Sequence, residues 1–254
     1  MKHNDTSLIE VNSHNVDEHG FFCCMSKRQS VGWKAKRAWL RERFDEGLKL
    51  YMLGSGQRGF IEFMPGESCW RPVKAAGWTV IHCLWVVGKS KGHGGAGVLL
   101  EQCIADAKAA GSHGVATVAS TQNFSTAPSF YEHFGFRRVE RAPPKYELMA
   151  LRFNDGVSMP RFTRAATNTG LPGDGIVIQT SDQCPYHAQL AEGLCGVAND
   201  AGMPSEVIPL RSAEAVRAQA ATAHGVFGVA VNGEVVPNVF LPRDLKKALK
   251  NGAG

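Results

Sequence analysis

Five glycines fall within sixteen residues, VVGKSKGHGGAGVLLE (Val86–Glu101), between an apolar run and a stretch that reads as a helix. Fixing glycine in a fold is entropically costly, so such a cluster marks backbone that must bend sharply or approach something closely. Successive N–H groups leading into a helix N-terminus attract anions, and side chains there would block the approach. The chemistry on offer is phosphate binding. Two further candidates sit on flanking strands. His82 titrates in a range suited to proton abstraction, and Glu62 would be costly if turned inward without a use. Cys83 adjoins His82, but successive strand residues face opposite ways, so the two are not expected to act as a pair. Seven cysteines, at 23, 24, 69, 83, 103, 184 and 195, show neither a CxxC pair nor zinc-ligand spacing, so reduced thiols and no metal are expected.

Three phosphate-binding readings compete for the glycine loop. A Walker loop would end correctly at Gly88-Lys89-Ser90, but its first glycine would have to stand where Cys83 is. A dinucleotide fingerprint fits Gly92, Gly94 and Gly97. Four residues, however, separate the strand from the first glycine, and the next strand ends in Ala119-Ser120 with no acidic residue for a ribose.

The third reading is a resemblance. Lys91-Gly92-His93-Gly94-Gly95-Ala96 is similar to the R/Q-x-x-G-x-G/A acetyl-CoA loop of the GNAT N-acetyltransferases, with Lys in the first place. APSFYEHFGF, Ala127 to Phe136, resembles that family's A-x-x-F-Y-x-x-x-G-F segment, and the order of elements agrees across residues 7–153. The resemblance implies an α/β fold with a mixed, mainly antiparallel sheet whose central strands splay apart. It implies acetyl-CoA as cosubstrate, with Lys91, Gly92, His93, Gly94, Gly95, Ala96 and Gly97 around the pyrophosphate. Val86 and Val87 would carry the pantetheine arm, with a backbone N–H near Val86 for the acyl oxygen. Tyr131 would be the general acid, and the asparagine usual in the family has its nearest counterpart in Asn123, with Phe124 in its register position. Direct attack also needs a neutral amine, and Glu62 and His82 are the candidate bases.

These residues need elements to hold them. Trp33, Leu40, Phe44 and Leu48 share a face of a helix expected over 31–48. Two strands flank GSGQRG, and GWTVIHCLWVV is the strongest strand, rich in β-branched and aromatic residues. A helix over 95–110, the strand GVATVAS, a short helix in TAPSFYEHFG and two strands around Pro143-Pro144 complete the first domain, 1–153. Residues 154–173 lack periodicity and read as a linker.

A second domain, 174–254, follows with the order strand, helix, strand, helix, strand, strand, helix. That order resembles the thioredoxin-like fold, and the FCC and WRP features with a trailing domain resemble a bacterial GNAT subgroup fused to such a module. Cys184-Pro185-Tyr186-His187 falls where that family has C-x-x-C, with His187 in place of the resolving cysteine. A helix start there would lower the Cys184 pKa and make it a reactive thiol.

The first 153 residues hold 20 Lys and Arg against 14 Asp and Glu, and the remainder 8 against 9. The basic excess shows no aromatic-interleaved run, which favours a phosphate-bearing small molecule over nucleic acid. No run approaches a membrane span and the start has no signal-peptide core, so a cytoplasmic chain is expected. The expected acceptor is a small-molecule or peptide amine, with neither nucleic acid nor membrane as partner and a homodimer as a state open to the chain. The rival reading is a thiol-dependent redox or binding protein using Cys184, with the first domain only sensing CoA.

Overall fold

The computed structural model describes residues 7–122, 124–168 and 170–252. The chain starts with β1 (Leu8–Val11), one helical turn, α1 (Val16–His19), and α2 (Val31–Asp45). Ser30 caps α2 by accepting from the Trp33 N–H, and Gly47 at φ 88° turns the chain before the expected Leu48 end. Strands β2 (Lys49–Leu53), β3 (Gly59–Pro65), β4 (Val73–Lys74) and β5 (Thr79–Val86) follow, then α3 (Gly95–Ala109), β6 (Gly114–Ser120), α4 (Pro128–His133), β7 (Arg137–Ala142) and β8 (Tyr146–Arg152).

These strands form a seven-stranded sheet in the order β1-β2-β3-β5-β6-β8-β7. All neighbours are antiparallel except β5 and β6, which run parallel and pair only at Thr79–Val115, Val80–Ala116 and Ile81–Thr117. Beyond Ile81 the two strands part. The mixed, mainly antiparallel sheet with a central splay is thus present. One face packs on α3 through Leu99, Leu100 and Cys103 against Ile61, Ile81, Val115 and Met149. The other packs on α2 through Trp33, Trp39 and Leu40 against Phe60, Met64, Val80 and Leu148.

The segment expected to be a linker is laid against its surroundings. Its strand β9 (Arg161–Phe162) pairs with β4, and Ala165, Ala166 and Leu171 are buried. The remaining chain folds as β10 (Ile176–Thr180), α5 (His187–Asp200), β11 (Ser205–Pro209), α6 (Ala213–Gln219), β12 (Gly228–Val231), β13 (Glu234–Val235) and α7 (Pro242–Lys250). Its four-stranded sheet has the order β11-β10-β12-β13, with β10 parallel to β11 and antiparallel to β12. No helix among the described residues is long and apolar enough to cross a membrane.

The two halves share a core. Leu210, Val216, Ala220 and Val226 join the cluster built by α2 and the large sheet. At Gly32 the contact is so close that a Cβ would collide with the Pro185 carbonyl. Gly32→Ala would ordinarily favour a helix by up to about 1 kcal/mol. Here the overpacking should win, with a net destabilisation of about 1–3 kcal/mol, measured by denaturant unfolding.

Candidate functional site

The splay opens a cleft of about 820 Å³ between the end of β5, the glycine loop, the start of α3 and α4. Gly92 and Gly94 sit at φ 78° and 81°, conformations that side chains resist, and a Cβ at either would meet only open space. Gly94 caps α3 without offering a side chain. The N–H groups of Gly95, Ala96 and Gly97, which have no partner within the helix, therefore open on the cleft with the positive end of the dipole. Ser90 fixes the loop by accepting from the Arg58 N–H at 2.8 Å.

The strand's own backbone supplies further polar groups. Val87 donates its N–H to the Arg58 carbonyl at 3.0 Å, toward β3. Alternation then turns Leu84 and Val86 the other way. The Leu84 carbonyl agrees, accepting from Thr126 Oγ1 across the gap at 3.0 Å. Val86 therefore presents its N–H to the cleft and Val87 does not.

Of the expected anion-binding residues, Val86, Lys91, Gly92, Gly94, Gly95, Ala96 and Gly97 line the cleft. Val87 is corrected by its bond to β3. His93 is corrected too: it lies outside the lining, and its Nδ1–H donates to the Lys91 carbonyl at 2.9 Å, bracing the loop. Asn123 lies outside the described residues. Thr126, Ser90 and the α4 residues Phe130, His133 and Phe134 complete the walls. Spacing along the sequence does not single them out, and only the fold brings Thr126 and α4, after β6, opposite β5.

Tyr131 is 2% exposed and packs among Leu99, Phe136 and Met149 on the α3 face. Burial pushes its pKa up to about 12, and Thr117 and Thr126 are hydrogen-bonded to its hydroxyl. Tyr131 stands one hydroxyl back from the cleft, behind Thr126.

Glu62 and His82 are brought together on the opposite face, away from the cleft lining. Register slips between Glu62 and Phe63, so that Glu62 faces Cys83 while Phe63 faces Ile81. The bulge turns both His82 and Cys83 toward the α2 side, which corrects the expected alternation. Glu62 takes Lys36 Nζ at 2.5 Å on Oε2, and on Oε1 accepts from Gln183 Nε2 at 3.0 Å and His82 Nδ1 at 3.3 Å. Burial would raise its pKa, but the Lys36 charge and the His82 hydrogen bond outweigh burial and hold it at about 2. The Trp70 N–H donates to His82 Nε2 at 3.0 Å, so the ring's one proton is on Nδ1. Burial lowers the His82 pKa to about 4. Both ring nitrogens of His82 are engaged and Glu62 holds three donors, in a buried pair on the face away from the cleft.

Gln183 also accepts from Arg71 at 2.8 Å, and Arg71 donates to the carbonyls of Trp70, at 2.8 Å, and of His82. The second half is thereby bonded to the bulge of β5 itself. Beside Gln183, Cys184 is corrected as well. The helix begins only at His187, and burial raises the thiol pKa despite the Tyr186 N–H. His187 is buried, stacked on Phe227 at 5.0 Å, and lowered by burial to about 4. Among the described residues no group of three or more His, Cys, Asp or Glu is placed to hold a metal ion.

No protein-family model matches the chain. It is 35% identical over 181 residues, 70% of this chain and 72% of the other, to the uncharacterized N-acetyltransferase YoaP of Bacillus subtilis. A GNAT family acetyltransferase of Brucella melitensis, solved in complex with acetyl-CoA, is similar at 18% identity over 62% of this chain and 94% of that one, with a TM-score of 0.39. One from Elizabethkingia anophelis with acetyl-CoA bound is similar at 14% identity over 59% and 99%, with a TM-score of 0.40.

Acidification should weaken the fold in two stages. His82 and His187 have folded pKa values near 4 against an ordinary 6.5, so the unfolded chain binds more protons between those values and stability falls as pH drops through them. Glu62, at about 2 against 4.5, adds a second loss as pH falls from 4.5 toward 2. Glu62→Gln leaves Lys36 buried without its counter-charge and should cost about 3–5 kcal/mol at neutral pH. Denaturation midpoints against pH should show the variant keeping the first stage and losing the second.

Proposed function

The chain belongs to the GNAT family of N-acetyltransferases, and we propose that it moves an acetyl group from acetyl-CoA to an amine by direct attack. The observation that carries this reading is the gap between β5 and β6, which meets a side-chain-free helix N-terminus in one cleft.

The residues present fit the cosubstrate. The N–H groups of Gly95, Ala96 and Gly97, with the Lys91 charge beside them, suit a pyrophosphate. The unpaired edge of β5 suits an extended amide-bearing arm, which can hydrogen-bond there as a missing strand would. Bound in the cleft, acetyl-CoA supplies an activated acyl carbon. Val86 N–H stabilises negative charge on the acyl oxygen, and such a preorganised donor is worth about 3–4 kcal/mol. The amine nitrogen bonds to the acyl carbon, the carbon–sulfur bond breaks, and the amine's surplus proton leaves to water. Tyr131 is the proton source for the departing sulfur, passing its proton through the Thr126 hydroxyl as that hydroxyl turns from the Leu84 carbonyl to the sulfur. Glu62 and His82 serve at a remove, by holding the bulge that sets the direction of β5.

We also read residues 1–153 as the acetyltransferase domain, 154–173 as the connection and 174–254 as a thioredoxin-like module. The sheet order β11-β10-β12-β13 supports the module's assignment. His187 in the resolving-cysteine position and the raised pKa of the half-buried Cys184 thiol favour docking over dithiol exchange for that module. These features count against the rival thiol-dependent function.

Ala96→Asp tests the cleft. An acidic residue in the first turn suits the helix but repels a pyrophosphate. Calorimetry should show acetyl-CoA affinity falling at least about tenfold with the melting temperature unchanged, since roughly 1.4 kcal/mol of repulsion suffices. In an acetyl-transfer assay Tyr131→Phe should lower kcat about 100-fold with little change in KM. Unchanged affinity in the first variant, or full turnover in the second, would contradict the roles given.

A further inference from the structure

The gap between β5 and β6 has two walls, and the second half of the chain holds both of them. On one side the grip is polar. Gln183, in the turn before α5, donates to Glu62 Oε1 at 3.0 Å and accepts from Arg71 at 2.8 Å. Glu62 in turn accepts the ring N–H of His82 at 3.3 Å, and Arg71 donates to the His82 carbonyl. His82 lies on β5, just past Ile81, where the pairing with β6 ends. One buried amide therefore joins the two groups that hold β5 as it leaves its partner.

On the other side the grip is aromatic. The loop after β6 carries Thr126, which lines the cleft and donates to the Leu84 carbonyl. Two residues earlier, Phe124 is packed between Trp85 of β5, with centroids 6.3 Å apart, and Phe240 of the second half, which meets it edge-on at 5.8 Å. In the same loop Gln122 Nε2 donates to Asn238 Oδ1. Phe124 and Asn238 stand at φ 64° and 65°, conformations that persist in such residues only where surrounding contacts hold them. A strained residue on each side marks this contact as a fixed junction.

We propose that Gln183 and Phe240 are positioning residues for acetyl transfer. They clamp β5 and the loop after β6 at a set separation, and so fix the slot that takes the acyl-bearing arm of acetyl-CoA. The inference rests on the cleft being the acetyl-CoA site. An arm that bonds along β5 as an added strand lies about 4.8 Å from it. A small drift of either wall then breaks the bond to the Val86 N–H. Neither clamp includes a residue of the glycine loop, so pyrophosphate binding there does not depend on them. The second half is thus part of the acetyl-transfer machinery, although none of its described residues lines the cleft.

The test uses the full chain with acetyl-CoA as the probe, read by residue-resolved hydrogen exchange and by calorimetry. Gln183→Leu and Phe240→Ala each undo one clamp. Val197→Ala, in the second half's own buried core, is the control for lost stability. In the wild type and the control, saturating acetyl-CoA should slow exchange at Val86 and at Gly95, Ala96 and Gly97. In the clamp variants Val86 should exchange as fast as in the free protein while the three helix-start amides stay slowed. Their acetyl-CoA affinity should fall at least about tenfold, within the usual range for coupling between distant groups. Val86 still slowed in a folded clamp variant, all four amides released together, or the same loss in Val197→Ala would overturn the proposal. Should Gln183→Leu fail to fold, Phe240→Ala decides alone. A wild type that neither binds acetyl-CoA nor protects these amides would overturn instead the cleft assignment on which the proposal rests.

Discussion

The fold turns on two parallel strands that stop pairing. β5 and β6 hold each other over three residue pairs and then separate. An unpaired backbone edge inside a protein is normally a liability, because every N–H and C=O must find a partner. Here the edge is kept open by specific means. Thr126 satisfies the Leu84 carbonyl from across the gap, and the loop after β6 fills part of the space. The rest of the edge faces a cleft whose far end is a helix start without a capping side chain. Two sets of unsatisfied donors, one from a strand and one from a helix, are aimed into the same volume.

Where the strands part, β5 carries an irregularity against β3. The bulge between Glu62 and Phe63 places His82 and Cys83 on the α2 side. A bulge increases local twist and bends its strand. The bulge is braced by buried charge: Lys36 pairs with Glu62, Arg71 holds the His82 carbonyl, and Gln183 bonds both Glu62 and Arg71. Buried ion pairs seldom add much net stability, but removing one partner is severe. Such a network specifies geometry more than it stabilises. Because Gln183 belongs to the second half, the direction of β5 depends on a residue far along the chain.

Much of this was legible in the residues. Glycine at 92 and 94 announced backbone that side chains could not follow, and the strand and helix periods placed the elements around it. The order of elements in the second half was legible as well, since short strands and a 3.6-residue period leave strong local marks. What stayed hidden was non-local. Alternation along β5 predicts opposite faces for His82 and Cys83, and only the register with β3 shows the bulge. Gln183 lies 121 residues from Glu62, and no spacing rule links them. The motif that marks Tyr131 as the general acid gives no sign of the packing that buries it behind Thr126. Residues 154–173, without periodicity, read as a tether, yet they are pinned by β9 and by buried alanines. Local pattern reports elements, whereas burial is decided by what packs on them.

The central claim is that the free edge of β5 and the open end of α3 bind one ligand together. Residue-resolved hydrogen exchange with and without acetyl-CoA tests it most directly. The account predicts slowed exchange at Val86, Gly95, Ala96 and Gly97 at once, with Val87, already bonded to Arg58, unchanged. Binding that leaves those four amides as fast as before, or protects only one of the two sets, would contradict it.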